Sequence, residues 1–456
     1  MRENQIKYYS TNLKSPEVTF REALLKGLAP DGGLYFPVQI PKISTGELGA
    51  LAEKDYPETA FLILEKFLSD EIGRDDLLEL CTEAYRFDVP LEKIYNRNYI
   101  MRLDQGPTAS FKDFAALLMG RLMQYFLVID NKRITILTAT SGDTGSAVAN
   151  AFYDLKNIRV IILFPAKEVT EMQRKQMTTL KKNIQVIAVD GKFDDCQRLV
   201  KTAFMDTGLS RINLSSANSI NIGRLLPQSV YYFYAWSKLS EKTIDPAVFS
   251  VPSGNFGNLT GGLLAREMGL PVKCFVVATN ENDEVPVYLS TGKYEIISPS
   301  KNCISSAMNV GHPSNLARII ALYGGRMDET GRVVKTPDLS KMRNDLFGIS
   351  ISENITRQAI ADFYRRHGLL IEPHGAVAWM GLEEYLKKYP VNQKESQLCV
   401  SLETAHPAKF SNEIFEILKL RPALPDSISK ILTQEEEFIS LENDYSVFRN
   451  YLIKNY

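Results

Sequence analysis

Ile134-Thr135-Ile136-Leu137-Thr138-Ala139-Thr140, then Ser141-Gly142-Asp143-Thr144-Gly145, then an apolar run from Ser146 to Leu155 is the stretch whose reading decides the fold. The first seven residues are β-branched or apolar, as a buried strand requires. The glycine-bearing pentapeptide interrupts them, and the run that follows has helical character. The order is therefore strand, loop, helix.

That unit recurs on the C-terminal side. Val160 to Pro165 is a strand before a helix around Val169 to Leu180, and Ile184 to Val189 is a strand before a helix from Asp194 to Met205. Ile212-Asn213-Leu214 precedes a long helix from about Ile222 to Leu239. Val248 to Pro252 passes through Ser253-Gly254-Asn255-Phe256-Gly257-Asn258 into a helix opening at Leu259, and Cys274 to Ala278 and Leu398 to Leu402 are further strands. Repeated units of this kind build an α/β protein with parallel sheets covered on both faces. Residues 1 to about 95 instead show helical periodicity, in Thr59 to Leu68 and Leu77 to Tyr85, after a turn at Ala29 to Pro37. The acidic run Gln434 to Glu437 reads as a solvated helix start near a trailing tail.

Ligands of such sheets bind beyond the C-terminal strand ends, where glycine loops meet helix N-termini. Ser253 to Asn258 has the two glycines that let backbone N–H groups approach an anion, and reads either as a phosphate cup or as a tightly packed turn. It matches neither the P-loop nor the dinucleotide fingerprint. Thr140 to Gly145 offers hydroxyls and N–H donors suited to a carboxylate, or is a capped helix start; Asp143 would repel that carboxylate unless it faces elsewhere. In Ser216 to Arg224, an arginine in the first helical turn opposes the dipole, which either a bound anion or a salt bridge explains.

Gly106-Pro107-Thr108-Ala109-Ser110-Phe111-Lys112-Asp113-Phe114 raises the same question for a lysine. Phe114, Ala115, Leu118 and Leu122 continue at helical spacing, so Lys112 stands in the first turn, where the macrodipole disfavours its proton by about 0.3–1 kcal/mol. A neutral lysine is a nucleophile of the Schiff-base type, whereas the plain alternative is a snorkelling surface lysine. Lys409 is a second early-helix lysine, with less apolar neighbours that favour a solvated position. His406, before Pro407, reads as a packed turn residue.

The 53 Lys plus Arg against 54 Asp plus Glu leave a net charge of −1, which gives no electrostatic reason to expect nucleic acid or an anionic membrane. Five scattered cysteines read as buried thiols of a reducing compartment, and the four histidines lack metal-ligand spacing. The start has no signal or transit composition, and no run of about 18 apolar residues occurs. A cytoplasmic protein with a small-molecule partner is expected.

Taken together, these loops resemble those of the fold-type II pyridoxal-phosphate enzymes, and within them the threonine synthase family. The resemblance extends to Tyr8 to Asn12, Thr19 to Ala23 and Gly27 to Tyr35, and so covers nearly the whole chain. It implies two parallel or mostly parallel sheets flanked by helices and a helical N-terminal region. The implied division is 1–95 N-terminal, 96–127 with 240–425 as the large cofactor-binding domain, 128–239 as a smaller domain, and 426–456 as a C-terminal tail. It implies pyridoxal 5'-phosphate as cofactor and Lys112 as the Schiff-base lysine. Gly254, Asn255, Phe256, Gly257 and Asn258 would hold the cofactor phosphate, and Thr404 would bond the ring nitrogen and leave it unprotonated. Asp143 falls where relatives commonly place an asparagine near the phenolic oxygen, and Glu403 is bulkier than the small residue expected before the threonine. Thr140, Ser141, Gly142 and Thr144 would take the substrate carboxylate, and Asn218, Ser219 and Arg224 its phosphate. The implied reaction converts O-phospho-L-homoserine and water to L-threonine and phosphate, in a monomer or homodimer with no metal. A phospho-lyase releasing 2-oxobutanoate on the same loops, or a non-catalytic phosphate or amino-acid binding protein, are the alternatives.

Overall fold

The computed structural model describes residues 5–242, 244–390 and 397–456. Two sheets organise it. The larger has six strands in the order Leu346–Ser350, Val272–Thr279, Ala247–Pro252, Cys399–Glu403, Asn98–Arg102 and Leu91–Tyr95. All its pairings are parallel except the last, a hairpin. The smaller runs Ile439–Glu442, Ile184–Asp190, Ile158–Pro165, Ile134–Ala139 and Leu214–Ser215, parallel throughout. Parallel strands buried on both faces read as continuous apolar runs, and in Ile158–Pro165 only Arg159 is exposed.

The expected strands and helices are present, most within one or two residues of their expected bounds. Four expectations are corrected. The long helix from Ile222 to Leu239 is Ile222–Leu225, a 3-10 turn over Leu226–Ser229, and Val230–Leu239. Pro227 lies in that turn, and its missing N–H breaks the helical ladder. The segment from 426 does not trail: Ile439–Glu442 pairs in register with Ile187 to Asp190, and Phe448 and Leu452 of the final helix Tyr445–Asn455 join the core beneath Phe193–Met205. The acidic run is no helix start, since Glu436 accepts from Arg174 Nε at 2.7 Å and Thr178 Oγ1 at 2.8 Å. Residue 95 also falls inside the Leu91–Arg102 hairpin, so the large sheet begins before it.

The lysine-bearing helix Lys112–Ile129 carries a nearly all-buried apolar surface, with Phe114 at the centre of an aromatic cluster of Tyr56, Tyr85, Phe87 and Tyr231. It lies beside the helix Asp143–Phe152. Gly120 makes that approach possible, because a Cβ there would stand 2.9 Å from the Ala151 carbonyl oxygen. Lys112 and Asp143 are each the first residue of their helix. Gly120 and Ala151 each lie about 12 Å further along, at 1.5 Å per residue. The two helices thus run in the same direction with both N-termini at one place. Among the described residues, no helix is long and apolar enough to cross a membrane, and all five cysteines are buried and unpaired.

Gly120→Val should force these helices apart and cost about 1–3 kcal/mol. A urea midpoint equal to that of the parent would show that the contact does not set their spacing.

Candidate active site

The loop before Lys112 is closed by Asp113, which accepts from Thr108 Oγ1 at 2.6 Å and Thr108 N at 2.8 Å. Ala109 turns through φ 54°, and a Cβ on Gly106 would meet the Asp113 carboxylate, so the loop folds over its own helix start. Burial pushes the Asp113 carboxyl up to about 6 despite those hydrogen bonds. The loop is then pinned to the large sheet. Phe111 N donates to Thr404 O at 2.9 Å, and His406 N donates to Ala109 O at 3.0 Å.

Lys112 Nζ reaches Asp143 Oδ2 at 3.5 Å with 14% of its side chain exposed. On the other carboxylate oxygen, Asp143 Oδ1 accepts from Lys409 Nζ at 2.7 Å and from Gln173 Nε2 at 3.2 Å. Lys409 also donates to Thr108 O, and its side chain is fully buried. The solvated position expected for Lys409 is therefore wrong: the turn over Pro407–Phe410 carries the side chain inward beneath the lysine loop. Burial lowers the Lys112 pKa; Asp143 opposes this, while Lys409 and Arg224 add to it. Burial alone would raise the Asp143 pKa, but Lys409 and then Lys112 hold the carboxyl far below the usual carboxylate range. This answers the repulsion anticipated for Asp143, which faces the two lysines.

In the carboxylate-type loop, Thr140 is buried and its Oγ1 accepts from Gly142 N at 2.9 Å and Gly145 N at 2.8 Å. Thr140 thus shapes the loop, while Ser141 and Thr144 carry the more exposed hydroxyls. Gly142, at φ 132°, abuts the Gln173 amide, where a Cβ would overlap.

The glycine cup is shaped by the same kind of constraint. A Cβ on Gly254 would lie 2.6 Å from Ala307 O, and Phe256 takes φ 62°, ψ 10°, a left-handed conformation that costs about 1–2 kcal/mol in a non-glycine residue. Burial of the Phe256 ring holds it there. Asn258 Oδ1 accepts from Tyr231 and Tyr232 hydroxyls, both at 2.6 Å, while Asn258 Nδ2 is buried with no partner. An unpaired buried donor beside the free N–H groups of the helix Gly257–Met268 suits a bound phosphate. The cup connects to the lysine helix through Tyr231, whose ring packs 5.7 Å from that of Phe114.

A third cluster adjoins the cup, since a Cβ on Gly257 would stand 3.8 Å from Ser219 Cβ. Arg224 is buried and donates to Ala217 O at 2.7 Å, and its Nε and Asn218 Oδ1 have no partner. No carboxylate pairs with Arg224 among the described residues, which removes the salt-bridge alternative. Burial lowers its pKa to about 10. Behind it, fully buried Arg318 donates to the Ser219 and Ile220 carbonyls and to Asn315 Oδ1.

Thr404 is buried at the end of strand Cys399–Glu403, and its Oγ1 donates to Glu372 Oε1 at 3.2 Å. Glu403 lies against the same helix start, with Oε1 accepting from Glu372 N at 2.7 Å. Its bulk is accommodated by Gly375, where any Cβ would overlap the carboxylate. His406 is a packed turn residue whose Nδ1 accepts from Ala408 N. Glu372, Gln173 and Arg318 are not anticipated as site residues, and Lys409 is marked in the sequence only as a rival early-helix lysine. None lies in a glycine loop, and the one local hint is that Glu372 precedes Pro373 at a helix start. Among the described residues, no His, Cys, Asp and Glu group is placed to hold a metal.

The chain matches the family model "Pyridoxal-phosphate dependent enzyme" over residues 88–402, with "Threonine synthase N terminus" over 7–85 and "Threonine synthase, C-terminal" over 376–452. It is 42% identical over 427 residues to a threonine synthase of Buchnera aphidicola from Acyrthosiphon pisum, covering 93% of this chain and 94% of that one. Against the Escherichia coli threonine synthase the identity is 38%, with the same coverage. The crystal structure of PLP-bound threonine synthase from Brucella melitensis superposes with a TM-score of 0.91 at 34% identity, covering 98% of this chain and 99% of that one.

Replacing Lys409 with Met should leave Asp143 acting on Lys112 alone and remove a neighbouring positive charge. Both effects raise the Lys112 pKa, so the neutral amine appears at higher pH. Reductive alkylation of Lys112 by a small aldehyde, followed by peptide mass analysis against pH, should show its midpoint moving upward; a downward move would contradict the charge assignment.

Proposed function

Because this chain belongs to the threonine synthase family of pyridoxal-phosphate-dependent enzymes, we propose that its crevice converts O-phospho-L-homoserine and water to L-threonine and inorganic phosphate. The observation that carries the residue assignments is the position of Lys112 Nζ. It is a largely buried amine with a lowered pKa, 3.5 Å from Asp143, on a loop joined to Thr404.

The cofactor is pyridoxal phosphate, and when bound it supplies an electron sink for charge developing on the substrate carbons. Asn258 Nδ2, with the N–H groups of Gly254 to Asn258, would hold its phosphate, and Lys112 would be the amine that carries it. Thr404 meets the ring nitrogen. Asp143 stands by the phenolic oxygen, where its pairing with Lys409 makes a near-neutral unit of what would otherwise be a repelling anion. That compensation explains how an aspartate can stand where relatives commonly have an asparagine.

Ser141 and Thr144 bind the substrate carboxylate, and Thr140, which accepts the Gly142 N–H, keeps that loop in shape. Arg224 Nε, Asn218 and Ser219 bind the substrate phosphate and stabilise its negative charge as it leaves. Lys112 Nζ would take the proton from the substrate α-carbon and return protons to the carbon chain. Its lowered pKa favours the neutral amine that can accept that proton.

Incubation of the holoenzyme with O-phospho-L-homoserine should release phosphate and threonine in equal amounts. Release of 2-oxobutanoate and ammonia in place of threonine would identify a phospho-lyase, and no turnover would leave a binding protein. Lys112→Ala should lower kcat by at least about 10³-fold. Arg224→Gln should lower kcat/KM by about 10–100-fold, the loss expected for one charge-assisted phosphate contact. An unchanged kcat/KM in that variant would remove Arg224 from the substrate site.

A further inference from the structure

We propose that Glu372 acts as a positioning residue that orients the Thr404 hydroxyl as a hydrogen-bond acceptor toward the cofactor ring, so that the pyridine nitrogen is held with its proton on. This rests on the placement of Thr404 at the ring nitrogen given above. It reverses the protonation expected from a threonine hydroxyl considered alone.

The argument is an accounting of hydrogens. Glu372 is fully buried at the N-cap of the helix Pro373–Lys388. Its Oε2 accepts from His374 N at 2.7 Å and from His374 Nδ1, and its Oε1 accepts from Gly375 N at 3.0 Å and Thr404 Oγ1 at 3.2 Å. A carboxylate offers about four lone-pair positions, and four donors fill them. The histidine cannot supply a hydrogen elsewhere, because its Nε2 accepts from Ala307 N at 3.1 Å, which fixes Nδ1 as the protonated nitrogen. Thr404 has one hydroxyl hydrogen, and Glu372 takes it. What remains for a group in front of Thr404 is a lone pair, to which only an N–H can bond.

The charges agree with the hydrogens. Glu403 is buried against Glu372, and burial together with the neighbouring carboxylate pushes its pKa well up; Arg102 only partly offsets this. The four donors that converge on Glu372 are those an anionic carboxylate gathers. No lysine or arginine pairs with Glu372 among the described residues, and its histidine is neutral by the tautomer argument. A protonated ring nitrogen, one hydroxyl away, supplies the missing counter-charge to this buried anion. The same chain reaches the phosphate cup, since Ala307, which donates to His374, packs against Gly254.

Glu372→Gln inverts this polarity. The side-chain oxygen is retained best facing the two His374 donors, which turns the amide N–H₂ toward Thr404; the hydroxyl then accepts from the amide and is free to donate to the ring. The test is nitrogen NMR of the holoenzyme reconstituted with pyridoxal phosphate labelled with ¹⁵N in the ring. The parent resonance should lie at the protonated pyridinium position, and Glu372→Gln should shift it toward the unprotonated position. A parent resonance at the unprotonated position would overturn the proposal without any variant being made. A parent that binds no labelled cofactor would overturn the cofactor assignment itself, and the proposal with it.

Discussion

The Asp143 carboxylate, held at 2.7 Å by Lys409 and at 3.5 Å by Lys112, is the interaction on which the rest of the site depends. Three buried charges meet at the N-termini of two helices that run side by side. An aspartate belongs at a helix N-terminus and a lysine does not. Lys409 satisfies most of the carboxylate, so Asp143 can hold Lys112 in place without fully stabilising its proton. A buried pair of this kind adds little to stability against a well-packed apolar alternative. Its value lies in setting where a reactive amine points and how readily it becomes neutral.

Around that centre, the loops are tied to one another more than to the strands they leave. Thr404 O holds the Phe111 N–H, Glu372 holds the Thr404 hydroxyl, and His374 carries the connection to Ala307 and so to Gly254. From the other side, Tyr231 joins Asn258 of the cup to Phe114 of the lysine helix. Two of these links, Phe111 to Thr404 and Phe114 to Tyr231, join segments more than a hundred residues apart in sequence. Parallel strands make it possible, because strands that run the same way release their chains at the same edge of the sheet.

Much of the fold was legible because its units are local. A strand such as Ile134–Ala139 announces itself by β-branched residues, and the following helix by its apolar face. The long helix after Ile222 was read too simply, since Pro227 could end a helix or kink one. The last thirty residues read as a tail because the strand Ile439–Glu442, although it alternates, has only four residues and none of them is fully buried. Only its pairing with Ile184–Asp190 reveals it. Lys409 was read from its neighbours in sequence, which are not its neighbours in space.

The sequence by itself determined the family, the order of strand, loop and helix, and the lysine at a helix N-terminus, because each rests on residues within one turn or one loop of each other. Only the tertiary structure decided that Asp143 faces two lysines, that Arg224 has no acidic partner, and that Thr404 gives its hydrogen to Glu372. Those outcomes depend on which distant groups compete for the same lone pair or charge. No periodicity or spacing records such a competition; burial resolves it, by leaving each polar group only the partners within reach.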